Sequence, residues 1–234
     1  MRHAPQGLML FAAGFGTRMG ALTADRPKPL IAVAGMALID HALALVATAG
    51  IRRRVVNVHY KAEQIAAHLA GRDIAISDET ARILDTGGGL RKALPLLGAG
   101  PVFTLNADAI WTGDNPLTQL AAAWDPARMD ALLLMLPVAV ADPQSGRSDF
   151  LMDAEGRINR AGGAKGLVYL GAQIIATDGL AAIPDDVFSL NRLWDGMIAQ
   201  GRAYGVVHRG GWCDVGHPAG IARAEALLDA ARDG

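Results

Sequence analysis

The chain has 234 residues, of which 51% are hydrophobic and 19% charged, with a formal net charge of −1 at pH 7. This composition excludes a disordered chain, and scattered basic residues without net positive charge exclude a nucleic-acid-binding surface. The apolar run 131–141 is too short to cross a bilayer, and the single Cys213 cannot form an internal disulfide. Because no secretory leader opens the sequence, we expect a cytoplasmic protein in which residues 1–234 form one domain.

Apolar strand-like runs alternate with helical-period segments in the first half of the chain. The pattern predicts strands at 8–13, 55–58, 74–76 and 102–105, and helices at 37–49, 62–69 and 90–97. Strands separated by helices indicate crossover connections. The fold class predicted is therefore α/β, with a doubly wound, mostly parallel, Rossmann-like sheet.

The pattern becomes less regular after Trp111. It predicts a short helix at 116–124, strands at 131–138, 167–176 and 204–207, a hairpin at 150–159, and helices at 190–199 and 218–231. Pro137 indicates an edge position or a bulge in its strand. We interpret residues 116–234 as an insertion that caps the sheet.

The strand at 8–13 leads directly into the glycine loop Gly14-Phe15-Gly16-Thr17-Arg18. Glycines let backbone N–H groups approach an anion closely, which is typical of phosphate binding. The loop fits neither the P-loop pattern nor the dinucleotide pattern. Lys28 follows between Pro27 and Pro29, which predicts a restrained, extended lysine rather than a flexible surface one.

The segment AAGFGTRMGALTADRPKPL, residues 12–30, resembles the signature of the sugar-1-phosphate nucleotidylyltransferases, in which AAGxGTR is followed by PKPL. The resemblance implies that a nucleoside triphosphate and a sugar 1-phosphate are the substrates. It assigns residues 1–115 mainly to nucleotide binding, and residues 116–234, as an inserted sugar-binding subregion, mainly to the sugar and a second metal ligand. It also implies catalytic roles for Arg18 and Lys28. The residues that it places around the nucleotide are Ala12, Ala13, Gly14, Gly16, Thr17, Arg18 and Lys28.

Two aspartates are candidates to hold the Mg²⁺ that accompanies a triphosphate. Asp108 follows the strand at 102–105 and resembles the family's strand-terminal acid, which gives it a catalytic role as well. Asp214, in GWCDVGHP, matches a W-x-D-x-G element of the family, which implies the second ligand. Each could instead be a structural turn residue. Only the fold can bring them together.

The segment Asp85-Thr86-Gly87-Gly88-Gly89 is a second glycine cluster. It could be a close turn, but T-G-G-G after an acid resembles the N-acetylmuramate 1-phosphate uridylyltransferases. The resemblance implies that Thr86, Gly87 and Gly88 lie along the nucleobase, with glycine backbone groups reading a pyrimidine edge. It further implies that Asn106 contacts the nucleotide or the sugar, and that Asp149 and Gly171 lie near the sugar. Lys165, in AGGAKGL, departs from the usual E-K-P form, and we interpret it as a solvated loop lysine.

The predicted function is transfer of a nucleotidyl group from UTP to N-acetylmuramate 1-phosphate, in a monomer or small homo-oligomer. The alternatives within the class are a mannose 1-phosphate guanylyltransferase and a choline phosphate cytidylyltransferase. The molybdenum-cofactor nucleotidyltransferases are disfavoured, because their lysine lacks the PKPL setting. The alternative from another class is a catalytically silent regulatory module, although such modules tend to lose the acids or cations that this chain retains.

Overall fold

The computed structural model describes residues 4–141 and 146–232. Within these ranges the strands are β1 (Gly7–Phe11), β2 (Ala32–Val33), β3 (Met36–Ala37), β4 (Arg53–Val58), β5 (Ala75–Asp78), β6 (Val102–Asn106), β7 (Ala109–Trp111), β8 (Ala131–Pro137), β9 (Phe150–Met152), β10 (Ile158–Arg160), β11 (Leu167–Ile175), β12 (Ala203–Val207) and β13 (Trp212–Asp214). The α-helices are α1 (Leu38–Thr48), α2 (Ala62–Leu69), α3 (Asp85–Leu97), α4 (Pro116–Ala123), α5 (Val138–Ala141), α6 (Asn191–Ala199) and α7 (Ala219–Arg232), and 3-10 helices cover Thr17–Thr23, Lys28–Leu30 and Asp178–Ala182.

In the described ranges, nine strands form one sheet in the order β10-β9-β11-β6-β1-β4-β5, with β8 joined to β11 and β12 joined to β8. Strand β1 runs parallel to β4 and β6, and β4 runs parallel to β5. The doubly wound α/β prediction is confirmed. Phe11 pairs with Asn57 on one side and Asn106 on the other, so the carboxyl ends of β1, β4 and β6 meet at one edge.

Strand β1 is apolar throughout because helices cover both faces of the sheet. Leu8 and Leu10 pack in one buried cluster with Ile39 of α1. Met9, which points the other way, packs in a second cluster with Leu90 of α3. A central strand buried on both faces fixes the position of whatever follows it, which here is the glycine loop.

The second half of the chain contributes strands to the same sheet. Strand β8 lies between β11 and β12, so the edge position predicted from Pro137 is wrong. Pro137 is tolerated because it is the last residue of β8, where its missing N–H does not interrupt the ladder. The irregularity is in the partner strand, where the pairing register shifts between Tyr169 and Gln173. None of the helices described is long and apolar enough to cross a membrane.

Candidate active site

A cleft of about 240 Å³ opens at the carboxyl ends of the central strands. Open α/β sheets bind ligands at this edge, where the strand order changes direction. The lining residues come from five separate segments: Phe11, Ala13, Gly14, Asn57, Glu79, Ile83, Asp85, Thr86, Asn106 and Asp108. Ala13, Gly14, Thr86, Asn106 and Asp108 are residues that the sequence predicted for the site.

The glycine loop is shaped to receive Lys28. We define residues 12–16 as the phosphate loop. Gly16 has φ +65° and precedes the 3-10 helix Thr17–Thr23. A Cβ on Gly16 would lie 2.8 Å from Lys28 Cβ and 3.0 Å from Thr23 Cγ2. Only glycine therefore fits here without displacing the lysine.

Lys28 is buried, with 7% of its surface exposed. The extended conformation predicted for it is wrong, because Lys28 begins the 3-10 helix Lys28–Leu30, which is closed by hydrogen bonds from Leu30 to Pro27 and from Ile31 to Lys28. Its Nζ donates a hydrogen bond of 2.6 Å to Asp108 Oδ2. The turn and this ion pair hold the cation at the cleft.

The fold places the two candidate acids side by side. Strands β7 and β13 pair antiparallel with Asp214 opposite Ala109, and the Val215 N–H donates to the Asp108 carbonyl oxygen at 2.9 Å. Burial raises the pKa of Asp214, and the neighbouring Asp108 carboxylate raises it further, while Lys28 and Arg18 act in the opposite direction. The carboxylates are close enough to repel each other, which a shared cation would relieve.

The Arg18 guanidinium approaches the Asp214 carboxylate from the side of the phosphate loop. A Cβ on Gly216 would lie 2.4 Å from Asp214 Oδ2 and 3.2 Å from Arg18 Nη1. The carboxylate and the guanidinium thus converge over a residue that has no side chain. Arg18, Lys28, Asp108 and Asp214, predicted from three distant segments, are brought together.

The two carboxylates at this site suit Mg²⁺ better than a metal ion whose ligands all come from the protein. In the part of the chain that the structure describes, no group of three or more His, Cys, Asp or Glu side chains could hold an ion. Mg²⁺ usually takes one or two carboxylates and completes its shell with water and substrate phosphates. Asp108 and Asp214 fit that pattern, and their role as ligands stays a prediction.

The second glycine cluster lies in the first turn of α3, and the segment that contains Asp186 and Phe188 packs against it. We define residues 84–89 as the base loop. The N–H groups of Gly87 and Gly88 donate to the Phe188 carbonyl oxygen at 2.9 and 3.1 Å. A Cβ would lie 2.4 Å from the Phe188 ring at Gly87 and 2.3 Å from the Asp186 carbonyl oxygen at Gly88. Close packing therefore accounts for these glycines.

Three of the residues predicted to contact the nucleotide already use their backbone N–H groups inside the protein. Gly87 and Gly88 give their N–H groups to Phe188, so the expected reading of a base edge by those groups does not fit this geometry. Ala12 likewise donates its N–H to Asn57 Oδ1 at 2.8 Å. Whether these residues touch the nucleotide through other atoms stays a prediction.

Residues 8–232 match the model of a family described as the MobA-like NTP transferase domain. The chain belongs to this family. It is 44% identical to the N-acetylmuramate alpha-1-phosphate uridylyltransferase of Caulobacter vibrioides, over 97% of this chain and 99% of that protein. It is 35% identical to the protein of the same name from Neisseria meningitidis, over 95% and 98% respectively. The solved inositol-1-phosphate CTP transferase from T. maritima shares the fold with a TM-score of 0.78 at 17% identity, covering 100% of this chain and 99% of that one.

The membership predicted from residues 12–30 is confirmed, and the chain is a nucleotidyltransferase. The MobA-like family model spans both halves of the chain, from β1 to α7. The glycine loop, Lys28 and both acids therefore lie within one matched unit.

Of the residues predicted for the sugar, Asn106 lines the cleft and Gly171 packs against it. Gly171 has φ +82°, and a Cβ there would lie 2.6 Å from Asn106 Nδ2, so the irregularity in β11 makes room for the Asn106 side chain. Asp149 is exposed and accepts the Tyr169 N–H at 2.9 Å through Oδ2. Lys165 is exposed in a bend before β11. Their roles toward an acceptor stay predictions.

Two buried polar residues in the cleft of this nucleotidyltransferase were missed from the sequence. Asn57 lies in β4 and Glu79 directly follows β5, and they are 3% and 1% exposed. A signal was available, because both are polar residues at the carboxyl ends of strands that otherwise supply the core. Asn57 in the run RRVVNV was hidden by its apolar neighbours.

Proposed function

We propose that the protein transfers a uridylyl group from UTP to N-acetylmuramate 1-phosphate, which yields the nucleotide sugar and pyrophosphate. The substrate assignment is supported by the two relatives of that name, which align over almost the whole of this chain and of their own lengths. The T-G-G-G sequence after Asp85 supports the same assignment. The chemistry is supported by the side chains at the cleft.

The convergence of two cations and two carboxylates carries the proposal. Lys28 Nζ lies 2.6 Å from Asp108 Oδ2, and Arg18 and Asp214 meet over Gly216. A triphosphate and a sugar phosphate bring several negative charges to one place, so a site for them must supply cations in fixed positions. Transfer of a nucleotidyl group directly between two phosphates also needs no protein nucleophile.

The reaction is an in-line displacement at the α-phosphorus. A phosphate oxygen of the sugar 1-phosphate forms a bond to that phosphorus, and the bond from phosphorus to the bridging oxygen breaks, so that pyrophosphate leaves with the electron pair. Arg18 and Lys28 bind the phosphate oxygens and offset the negative charge that accumulates on them. Because Lys28 is nearly buried, little orientational freedom is lost when the substrate binds.

Asp108 and Asp214 would hold Mg²⁺, which when bound supplies positive charge to neighbouring phosphate oxygens. The two carboxylates repel each other, and Lys28 compensates Asp108 through a direct hydrogen bond. Asp108 therefore orients Lys28 as well as offering an oxygen ligand.

The acceptor is proposed to bind beside β6. Strand β11 runs antiparallel to β6 with Ala172 opposite Leu105, so the residues before Gly171 extend past the end of β6. Asn106, Gly171 and Asp149 are available there, with Asp149 tied to Tyr169. This surface adjoins the acids, as an attacking sugar phosphate requires.

Pyrophosphate release tests the proposal. The purified protein is incubated with Mg²⁺ and each pairing of UTP, CTP, GTP, ATP or dTTP with N-acetylmuramate 1-phosphate, N-acetylglucosamine 1-phosphate, mannose 1-phosphate or choline phosphate. We expect the highest kcat/KM for UTP with N-acetylmuramate 1-phosphate. EDTA is expected to stop release, and added Mg²⁺ to restore it.

The other outcomes discriminate between the alternatives. Preferred use of GTP with mannose 1-phosphate, or of CTP with choline phosphate, would overturn the substrate assignment and keep the class. No release with any pair would contradict the reaction itself. Undiminished activity in EDTA would contradict the metal assignment.

A further inference from the structure

The phosphate loop and the base loop are connected by a buried chain of hydrogen bonds. The Ala12 N–H donates to Asn57 Oδ1 at 2.8 Å, Asn57 Nδ2 donates to Glu79 Oε1 at 2.8 Å, and the Leu84 N–H donates to Glu79 Oε2 at 3.0 Å. Ala12 opens the phosphate loop and Leu84 opens the base loop. Two side chains therefore span the floor of the cleft from one loop to the other.

We propose that Asn57 and Glu79 are positioning residues that hold the phosphate loop and the base loop at a fixed separation, so that one nucleoside triphosphate can contact both. The proposal rests on the proposed function for the identity of the ligand. It assigns no contact between Glu79 and the substrate.

Glu79 is fixed by its backbone as well as by its side chain. Its N–H donates to the Val58 carbonyl oxygen at 2.8 Å, and its own carbonyl oxygen accepts hydrogen bonds from His59 Nδ1 at 2.6 Å and from the Arg82 N–H at 3.0 Å. A buried carboxyl group that is held in this way can fix the separation of the two loops that it links. A solvated carboxylate would move too freely to do so.

The base loop is adapted to this carboxyl group. A Cβ on Gly89 would lie 2.6 Å from Glu79 Oε1 and 3.2 Å from Asn57 Nδ2. The third glycine of the cluster thus leaves space for the Asn57–Glu79 pair, while the first two pack against Phe188 and Asp186. A buried carboxyl group is unfavourable unless its oxygens are satisfied, and here both are.

The direction of the hydrogen bonds provides a specific test. In Asn57→Asp two carboxyl groups face each other, and in Glu79→Gln an amide donor faces another donor or the Leu84 N–H. In the double variant the new carboxylate at position 57 accepts from the Ala12 N–H. The new amide at position 79 donates to that carboxylate through its nitrogen and accepts from the Leu84 N–H through its oxygen. The exchange reverses the central hydrogen bond and keeps both loop contacts.

The test compares kinetics of the two single variants and the double variant with those of the wild type. We expect each single variant to raise KM for UTP roughly tenfold, the scale of an unsatisfied buried polar group. KM for the sugar phosphate should stay within about twofold, because Asn57 and Glu79 do not hold the acceptor side. The double variant should return KM for UTP to within about threefold of the wild type.

A matched control separates positioning from general stability. Gln119 is 5% exposed and is hydrogen-bonded to Val207 and His208, away from the cleft. Gln119→Glu makes the same amide-to-acid exchange in a buried network. It should lower the melting temperature and leave KM for UTP unchanged.

A folded single variant with wild-type KM for UTP would overturn the proposal, as would a double variant without rescue. If a single variant does not fold, the double variant alone decides, through its KM for UTP. Hydrogen exchange at the Ala12 and Leu84 amides gives a readout that does not depend on the substrate. Exchange should be faster in the single variants and slow again in the double variant, and unchanged exchange would overturn the proposal even if the wild type proved inactive with every pair tested.

Discussion

The two ends of the cleft bring residues together by different means. At the charged end, Arg18, Lys28, Asp108 and Asp214 come from three distant segments and meet through side-chain charges. At the glycine end, residues 87–89 are adjacent in sequence. Gly87 and Gly88 form backbone hydrogen bonds to another segment, and all three glycines lie so close to other atoms that a Cβ would not fit. The first end is built to hold charge, and the second is built to fit closely.

This difference predicts whether a substitution lowers catalytic activity or stability first. Isosteric removal of a charge at the charged end leaves the backbone packing untouched, so catalysis should be lost before stability. Addition of a single methyl group at the glycine end meets a carbonyl oxygen or a ring, so stability should be lost first. The following variants test that division, beginning with the largest expected effect.

Asp108→Asn removes a charge at the cleft and keeps an oxygen that can accept from Lys28. We expect kcat to fall by roughly two to three orders of magnitude, because charge at the transferring phosphate is no longer organised. The melting temperature should change little. Steady-state pyrophosphate release and thermal denaturation measure the two quantities.

Asp114→Asn is the matched control for this variant. Asp114 accepts a 2.6 Å hydrogen bond from Arg209 Nε in an exposed ion pair outside the cleft. Exposed pairs contribute little, so kcat should stay within about twofold of the wild type. Equal losses of kcat in the Asp108 and Asp114 variants would contradict a specific catalytic role for the carboxylate in the cleft.

Lys28→Met keeps an unbranched side chain of similar length and removes the buried cation. We expect kcat/KM for UTP to fall about tenfold to a hundredfold, the range for loss of a hydrogen bond to a charged group. Lys165→Met is the control, because Lys165 is exposed in a bend before β11. It should change kcat/KM by less than about twofold if its lysine is only solvated. A larger effect of Lys165→Met than of Lys28→Met would reverse the assignment of the phosphate cation.

Gly88→Ala tests the glycine end. Its Cβ would lie 2.3 Å from the Asp186 carbonyl oxygen, so the free energy of unfolding should fall by about 1–3 kcal/mol. For a chain of this length each kcal/mol corresponds to roughly 2–4 °C in Tm. Activity at a temperature well below Tm should fall less than in the Asp108 variant.

Gly196→Ala is the matched substitution for Gly88→Ala. Gly196 lies within α6, and nothing lies within 4 Å of an added Cβ. Alanine should therefore raise the free energy of unfolding by about 0.5–1 kcal/mol. If both variants were equally stable, the close contact at Gly88 would not be the reason for its glycine.

The sequence predicted the elements that depend on local pattern. Periodicity placed α1, β4, α2 and β11 within a few residues of their observed bounds, because each has to bury an apolar face or stripe. The pattern failed at Lys28, where neighbouring prolines indicated extended backbone and a 3-10 turn formed. It failed again at Pro137, since the order of strands in a sheet is not a local property.

The sequence by itself determined the family and the α/β class, and it pointed to Arg18, Lys28, Asp108 and Asp214 as candidates, because motif spacing and hydrophobic period are carried by residues that are close along the chain. The tertiary structure alone decided which of these side chains touch. It paired β7 with β13 so that Asp108 lies beside Asp214, and it joined the phosphate loop to the base loop through Asn57 and Glu79. Contacts of that kind depend on how distant strands align in one sheet, and no local pattern specifies that alignment.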